Sequence, residues 1–164
     1  MKNKLFIATV SFLLMFTLMR FQGEALKTNQ TLGGILDLEF ANSPAKLLEV
    51  LSAWDLNTAK QNIWLDFIFI PAYVLFFALF TALCAAKWRV ALINKIGLLL
   101  VRAAFAAGIF DIAENLLMLQ SIAGNYTPNS LWLTYYCASI KFGIILFIVL
   151  YLLISIPVII KKNS

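Results

Sequence analysis

The chain has 164 residues, 62% of them hydrophobic, and a mean hydropathy of +0.89. Soluble domains are about 45–50% apolar, so this composition excludes a water-soluble globule and points to one integral membrane domain spanning 1–164. The net charge of +5 does not indicate nucleic acid, because the basic residues gather at the ends of apolar runs, as they do where a chain meets membrane lipids. Histidine is absent, which removes His-based triads, haem ligation through His and the usual zinc sites. No metal and no cofactor is expected.

The first apolar run is "LFIATVSFLLMFTLM", Leu5 to Met19, preceded by Lys2 and Lys4. A basic start and a short run also suit a cleavable signal, but "GEA" before Leu26 is a poor small-x-small site. Arg20 and Phe21 extend the run, so a retained helix over about 5–21 is expected. The segment 22–62 follows as a long loop. Within it, "NSPAKLLEVLSAW" offers Ser43 as an N-cap and Pro44 at the first helical position. Leu47, Leu48, Leu51 and Trp54 would make one apolar face of a short amphipathic helix. That helix would lie on the membrane or over the helix mouths, or serve as a connector burying its face where it can. Three further runs, about 63–86, 96–122 and 131–160, reach the ~20 residues a spanning helix needs. The expected fold class is therefore all-α, a four-helix transmembrane bundle with a short amphipathic helix in the first outer loop. Cys84 and Cys137 fall inside apolar runs and read as small packing residues. "NQT" at Asn29 and "NYT" at Asn125 are sequons that matter only in a glycosylating cell.

The charges set an orientation. Lys2, Lys4, Lys87, Arg89, Lys95, Lys161 and Lys162 fall on one side with no acid among them. The other side carries four basic and five acidic residues. The positive-inside rule places both termini in the cytoplasm and 22–62 outside.

Asp66, Arg102, Asp111, Glu114 and Lys141 remain within the apolar runs, where an ionisable group costs ~2.5–3.5 kcal/mol at the bilayer centre on insertion scales. Asp111, Glu114 and Asn115 share one helical face at spacings of three and four. Counted from the outer helix ends at 1.5 Å per residue, Asp66 lies ~6 Å down, Glu114 ~10 Å, and Asp111 and Lys141 ~15 Å. All of these belong to the outer half and are expected to meet. Arg102 lies half a turn off that face and towards the cytoplasm, so it should snorkel or pair locally. Pro71 frees the carbonyl of Phe67 beside Asp66, which suits either a cavity wall or a simple bend. Ala103 with Ala107 and Ala104 with Gly108 permit close helix approach just below Asp111. Three acids against Lys141 leave an acid excess, so either one carboxyl keeps its proton or a cation or water fills the site. A protonated carboxyl beside an ionised one serves acid–base chemistry and proton relays alike.

"FDIAEN", "WLDFIFIPAY" and "DLEFANSPAKLLEVLSAW" together resemble a group of small bacterial four-helix membrane proteins. That group has an "LDFxFxPAY" second helix and a "D..EN" third helix. The resemblance covers Leu36 to Leu119 and rests on Glu39, Trp54, Asp66, Pro71, Tyr73, Asp111, Glu114 and Asn115; Lys141 stands outside the pattern. It implies an architecture and a bacterial inner (plasma) membrane, and no particular activity. The leading expectation is an outer-leaflet site for a lipid or small molecule, bound and open to conversion. Asp66, Asn115, Lys141 and Tyr73 would bind, Glu39 and Trp54 would cover the site, and Asp111 or Glu114 would exchange a proton. Two alternatives stand beside it: a polar knot that only fixes helix packing or serves a partner, and proton or cation transport by a homo-oligomer.

Overall fold

The structure, a computed structural model, describes residues 2–161; Lys162 of the basic count lies outside the described residues. Among these, the chain is all-α. Helix α1 spans Lys2–Gly23 and runs into a single 3-10 turn, Glu24–Leu26. Two short helices follow, α2 (Ile35–Glu39) and α3 (Pro44–Ser52). Then come three long ones, α4 (Leu56–Ala85), α5 (Ala91–Ile122) and α6 (Pro128–Lys161). Helices α1, α4, α5 and α6 are long and apolar enough to cross a membrane, and the protein is an integral membrane protein.

The long helices overshoot the expected boundaries for identifiable reasons. Helix α4 begins seven residues before the apolar run, because Asp55 caps it. The Asp55 carboxylate accepts from the Thr58 backbone N–H at 2.9 Å and from its hydroxyl at 2.7 Å. At 32 residues, α5 is about 48 Å long, well beyond a hydrocarbon core of about 30 Å. The extra turns form a mouth at one end of the bundle, and the first loop packs into it. Leu26, Leu38, Leu47, Val50 and Trp54 bury against Ile63, Met118, Ile122 and Leu131. Helix α3 therefore sits over the helix mouths. Ser43 caps it as expected, accepting from the Lys46 N–H at 3.4 Å. Its buried face differs from expectation at one position. Leu48 is exposed, and Val50 takes its place beside Leu47, because a stripe of i, i+3, i+4 and i+7 starting at Leu47 passes Leu48 by.

Helix α4 is the hub. It packs against α1, α5 and α6, α5 also packs against α6, and α1 leans chiefly on α4. The α4–α5 seam is close because Gly108 has no side chain: a Cβ there would stand 2.8 Å from Val74 Cγ2. Ala104 and Ala107 are buried on the same face. Phe12 of α1 stacks on Phe76 at 4.6 Å and on Phe69 at 5.9 Å. Helix α4 runs through Pro71 without a break. Both cysteines are buried and free. Arg102 is exposed, in keeping with a snorkelling side chain.

Candidate functional site

Three long helices and one short one bring the intramembrane charges together. Lys141 of α6 is the centre, with its side chain only 6% exposed. Its Nζ donates to Asp111 Oδ1 at 3.0 Å and lies 3.1 and 3.0 Å from the two oxygens of Glu114. Glu39 Oε2 is 3.5 Å away. The Tyr73 hydroxyl donates to Asp111 Oδ2 at 2.7 Å, tying α4 to α5. Asn115 Nδ2 donates to Asp66 Oδ2 at 2.6 Å, a second tie between the same helices. An ammonium facing three carboxyl groups has an acceptor for each of its N–H groups, as a charge buried in a low-dielectric interior must.

Glu39 reaches this cluster from outside the membrane, 102 residues from Lys141. Helix α2 delivers it. Gly34, with φ of 63°, takes a conformation that favours glycine and turns the chain into α2. Asp37 then accepts from the Gly33 N–H at 2.8 Å and fastens that turn. Helix α2 is not foreshadowed by any pattern, since five residues carry too little periodicity to register. The Glu39 carboxyl is pushed up from its ordinary range by burial, and the nearby Lys141 ammonium opposes that shift.

A cavity of about 370 Å³ opens beside the cluster. Helix α4 forms its back wall, α1 and α6 its sides, and α2 with the preceding turn its outer end. Phe12, Phe16, Phe69, Phe77 and Ile145 make most of it apolar. Glu39, Asn62, Asp66, Tyr73, Asp111 and Lys141 make its polar end. Phe16 and Phe142 border it and are 48% and 38% exposed, so apolar side chains flank the opening.

The expected site residues thus divide into two layers and one outlier. Asp66, Tyr73, Asp111, Lys141 and Glu39 face the cavity. Glu114 and Asn115 are 0% and 1% exposed and stand behind them, outside the lining. Of the two acids expected to exchange a proton with a ligand, only Asp111 borders the space where a ligand would lie. Trp54, expected to cover the site, is placed elsewhere. Its indole N–H donates to the Thr31 hydroxyl at 2.9 Å, and the ring is buried in the core of the loop. Sequence reasoning missed Asn62, which is 1% exposed, lines the cavity and donates its Nδ2 to Gln22 Oε1. Its place in the polar start of α4, outside the expected apolar run, hid it.

The arrangement does not continue across the bilayer. Below Tyr73 and Asp111, the interior is filled by Ala78, Ala104, Ile148 and Leu152. The buried Thr81 hydroxyl, which has no hydrogen-bond partner among the described residues, interrupts this layer, and side-chain hydrogen bonds resume towards the other end, where Trp88 Nε1 donates to Ser155 at 2.9 Å. A layer that is mostly apolar between two polar ends opposes the passage of ions. Comparison with protein-family models, curated proteins and solved structures gives no match, so the reading of this site rests on its geometry: a one-ended, membrane-embedded cavity with an acid-rich end, in an all-α integral membrane protein.

Proposed function

We propose that this protein binds an amphiphilic lipid or small molecule in the cavity bounded by α1, α4 and α6. The apolar part lies along the phenylalanines and the polar part at Asp66, Asp111, Lys141 and Glu39. The observation that carries this reading is the cavity itself, in which an apolar wall meets a built polar end within one continuous space. Concave, largely apolar sites with a few convergent polar groups are the usual form of ligand pockets. On the charge pattern, both termini are cytoplasmic and the cavity opens to the outer leaflet. The resemblance to small bacterial membrane proteins supports a plasma-membrane location.

The alternative of a purely structural knot is favoured for the inner layer only. Glu114 and Asn115 are sealed from the cavity and link α4, α5 and α6. The transport alternative is disfavoured by the mostly apolar layer beneath Asp111. The test is to fill the cavity. Ile145→Trp adds bulk to the wall without touching a charge. It should abolish displacement of an environment-sensitive fatty probe in detergent micelles while leaving the far-UV circular dichroism unchanged. Undiminished, saturable probe binding by the variant would place the ligand elsewhere.

A further inference from the structure

The hydrogen-bonding state of the polar end selects the charge of the ligand, an inference that rests on the cavity being a ligand site. Each donor group of the cluster already serves at least one acceptor. The Tyr73 hydroxyl serves Asp111, Asn115 Nδ2 serves Asp66, Asn62 Nδ2 serves Gln22, and Lys141 serves Asp111, Glu114 and Glu39.

Acceptors are left over. Asn62 Oδ1 is buried and has no hydrogen-bond partner. Asp66 spends Oδ2 on Asn115, and among the described residues nothing donates to its Oδ1. Glu39 is held by a long, shared contact with Lys141 at 3.5 Å and by the neighbouring Glu114 carboxyl. The charges tell the same way, since four carboxyls surround one ammonium. Two cations border the cavity as well, but neither is directed at the acids. Lys27 is paired with Glu24 at 2.8 Å, and the exposed Arg20 also acts on Glu24.

An unpaired buried acceptor costs free energy comparable to a lost hydrogen bond, and an excess of buried negative charge costs more. A carboxylate or phosphate end would add to both costs. A hydroxyl could satisfy one acceptor. A primary ammonium brings three donors and a positive charge, and the faces of Phe12, Phe69 and Phe77 tolerate a cation nearby. Among the described residues, no three acidic or thiol groups converge as a metal site, which favours an organic cation with several separated donors.

We propose that the cavity takes an amine-bearing amphiphile, an apolar chain ending in a primary ammonium. The ammonium is received by Asp66, Asn62 and Glu39, and the chain lies along the phenylalanine wall.

The test uses dodecylamine, dodecanol and dodecanoate against the full chain in detergent at one neutral pH, read by thermal shift and by titration calorimetry. Dodecylamine should bind the wild type at least about tenfold more tightly than either other probe. Asp66→Asn should erase that preference while melting as an unliganded protein close to wild type. Should that variant fail to fold, Asn62→Leu must reduce the amine preference instead. Equal binding of amine and alcohol that Ile145→Trp abolishes would overturn the ammonium assignment and leave the cavity reading intact. Tighter binding of dodecanoate would also overturn it. No shift with any probe would overturn both.

Discussion

Replacing Lys141 with Met removes the one cation of the buried cluster and keeps most of its volume. Three carboxyls then lose their partner at once: Asp111 at 3.0 Å, Glu114 at 3.0 Å and Glu39 at 3.5 Å. Breaking a buried ion pair by deleting one side costs about 3–5 kcal/mol, because the surviving charge is left desolvated. At about 2–4 °C per kcal/mol for a chain of this size, Lys141→Met should lower the melting temperature in detergent by roughly 6–20 °C at neutral pH. The deficit should shrink in acid, where neutral carboxyl groups no longer need an ammonium. Adding Glu114→Gln to Lys141→Met should recover part of the loss, because the sealed carboxylate is then gone as well. A variant melting within about 2 °C of wild type at neutral pH, with no recovery in the double variant, would refute the idea that Lys141 organises the cluster.

Three further outcomes follow from other parts of the molecule. Gly97→Ala places a Cβ against the Tyr151 hydroxyl and 2.7 Å from Ala85 Cβ. That overpacking should cost about 1–3 kcal/mol, whereas Gly143→Ala meets nothing within 4 Å and should be neutral or stabilising; parallel thermal melts decide between them. Trp54→Phe removes the indole donor to Thr31, at a cost of about 1 kcal/mol. It should speed proteolysis of the first loop while leaving probe binding in place. Glu39 is buried and its carboxyl is held above the usual range, so the folded state keeps a proton that the unfolded chain releases. Stability from this residue therefore falls as pH rises through the interval above the ordinary carboxylate value, and Glu39→Gln should flatten the pH dependence of the melting temperature in that interval. An unchanged slope would show that Glu39 does not titrate differently in the two states.

The four long helices were legible because apolar runs of more than about 20 residues have few other readings. The meeting of Asp66, Asp111, Glu114, Asn115 and Lys141 was legible for a related reason: in antiparallel helices of known rise, distance from the outer end fixes the level at which residues meet. What was hidden lay in the loop. Helix α2 is too short to show a period, and its delivery of Glu39 depends on the turn at Gly34. Trp54 was mistaken for a lid because position along a chain does not say which way a ring turns. Its partner Thr31 lies 23 residues away, in a stretch with no pattern of its own. Depth along the helices likewise could not separate Asp111, which borders the cavity, from Glu114, which lies one turn away and is sealed. That division depends on where α1 leans, and between Lys4 and Arg20 α1 carries no charge or period that would announce it.

The central claim is that a ligand's chain lies between α1 and α6 with its polar end at Asp66. Photocrosslinking with a diazirine-bearing long-chain amine, followed by peptide mass mapping, tests it most directly. Adducts on Phe16, Phe69 and Ile145 that unlabelled amine suppresses, and that Ile145→Trp removes, are the result the account predicts. Adducts confined to the outward face of α5, at Ile109, Ile112 and Leu116, which are exposed and far from the cavity lining, would contradict it.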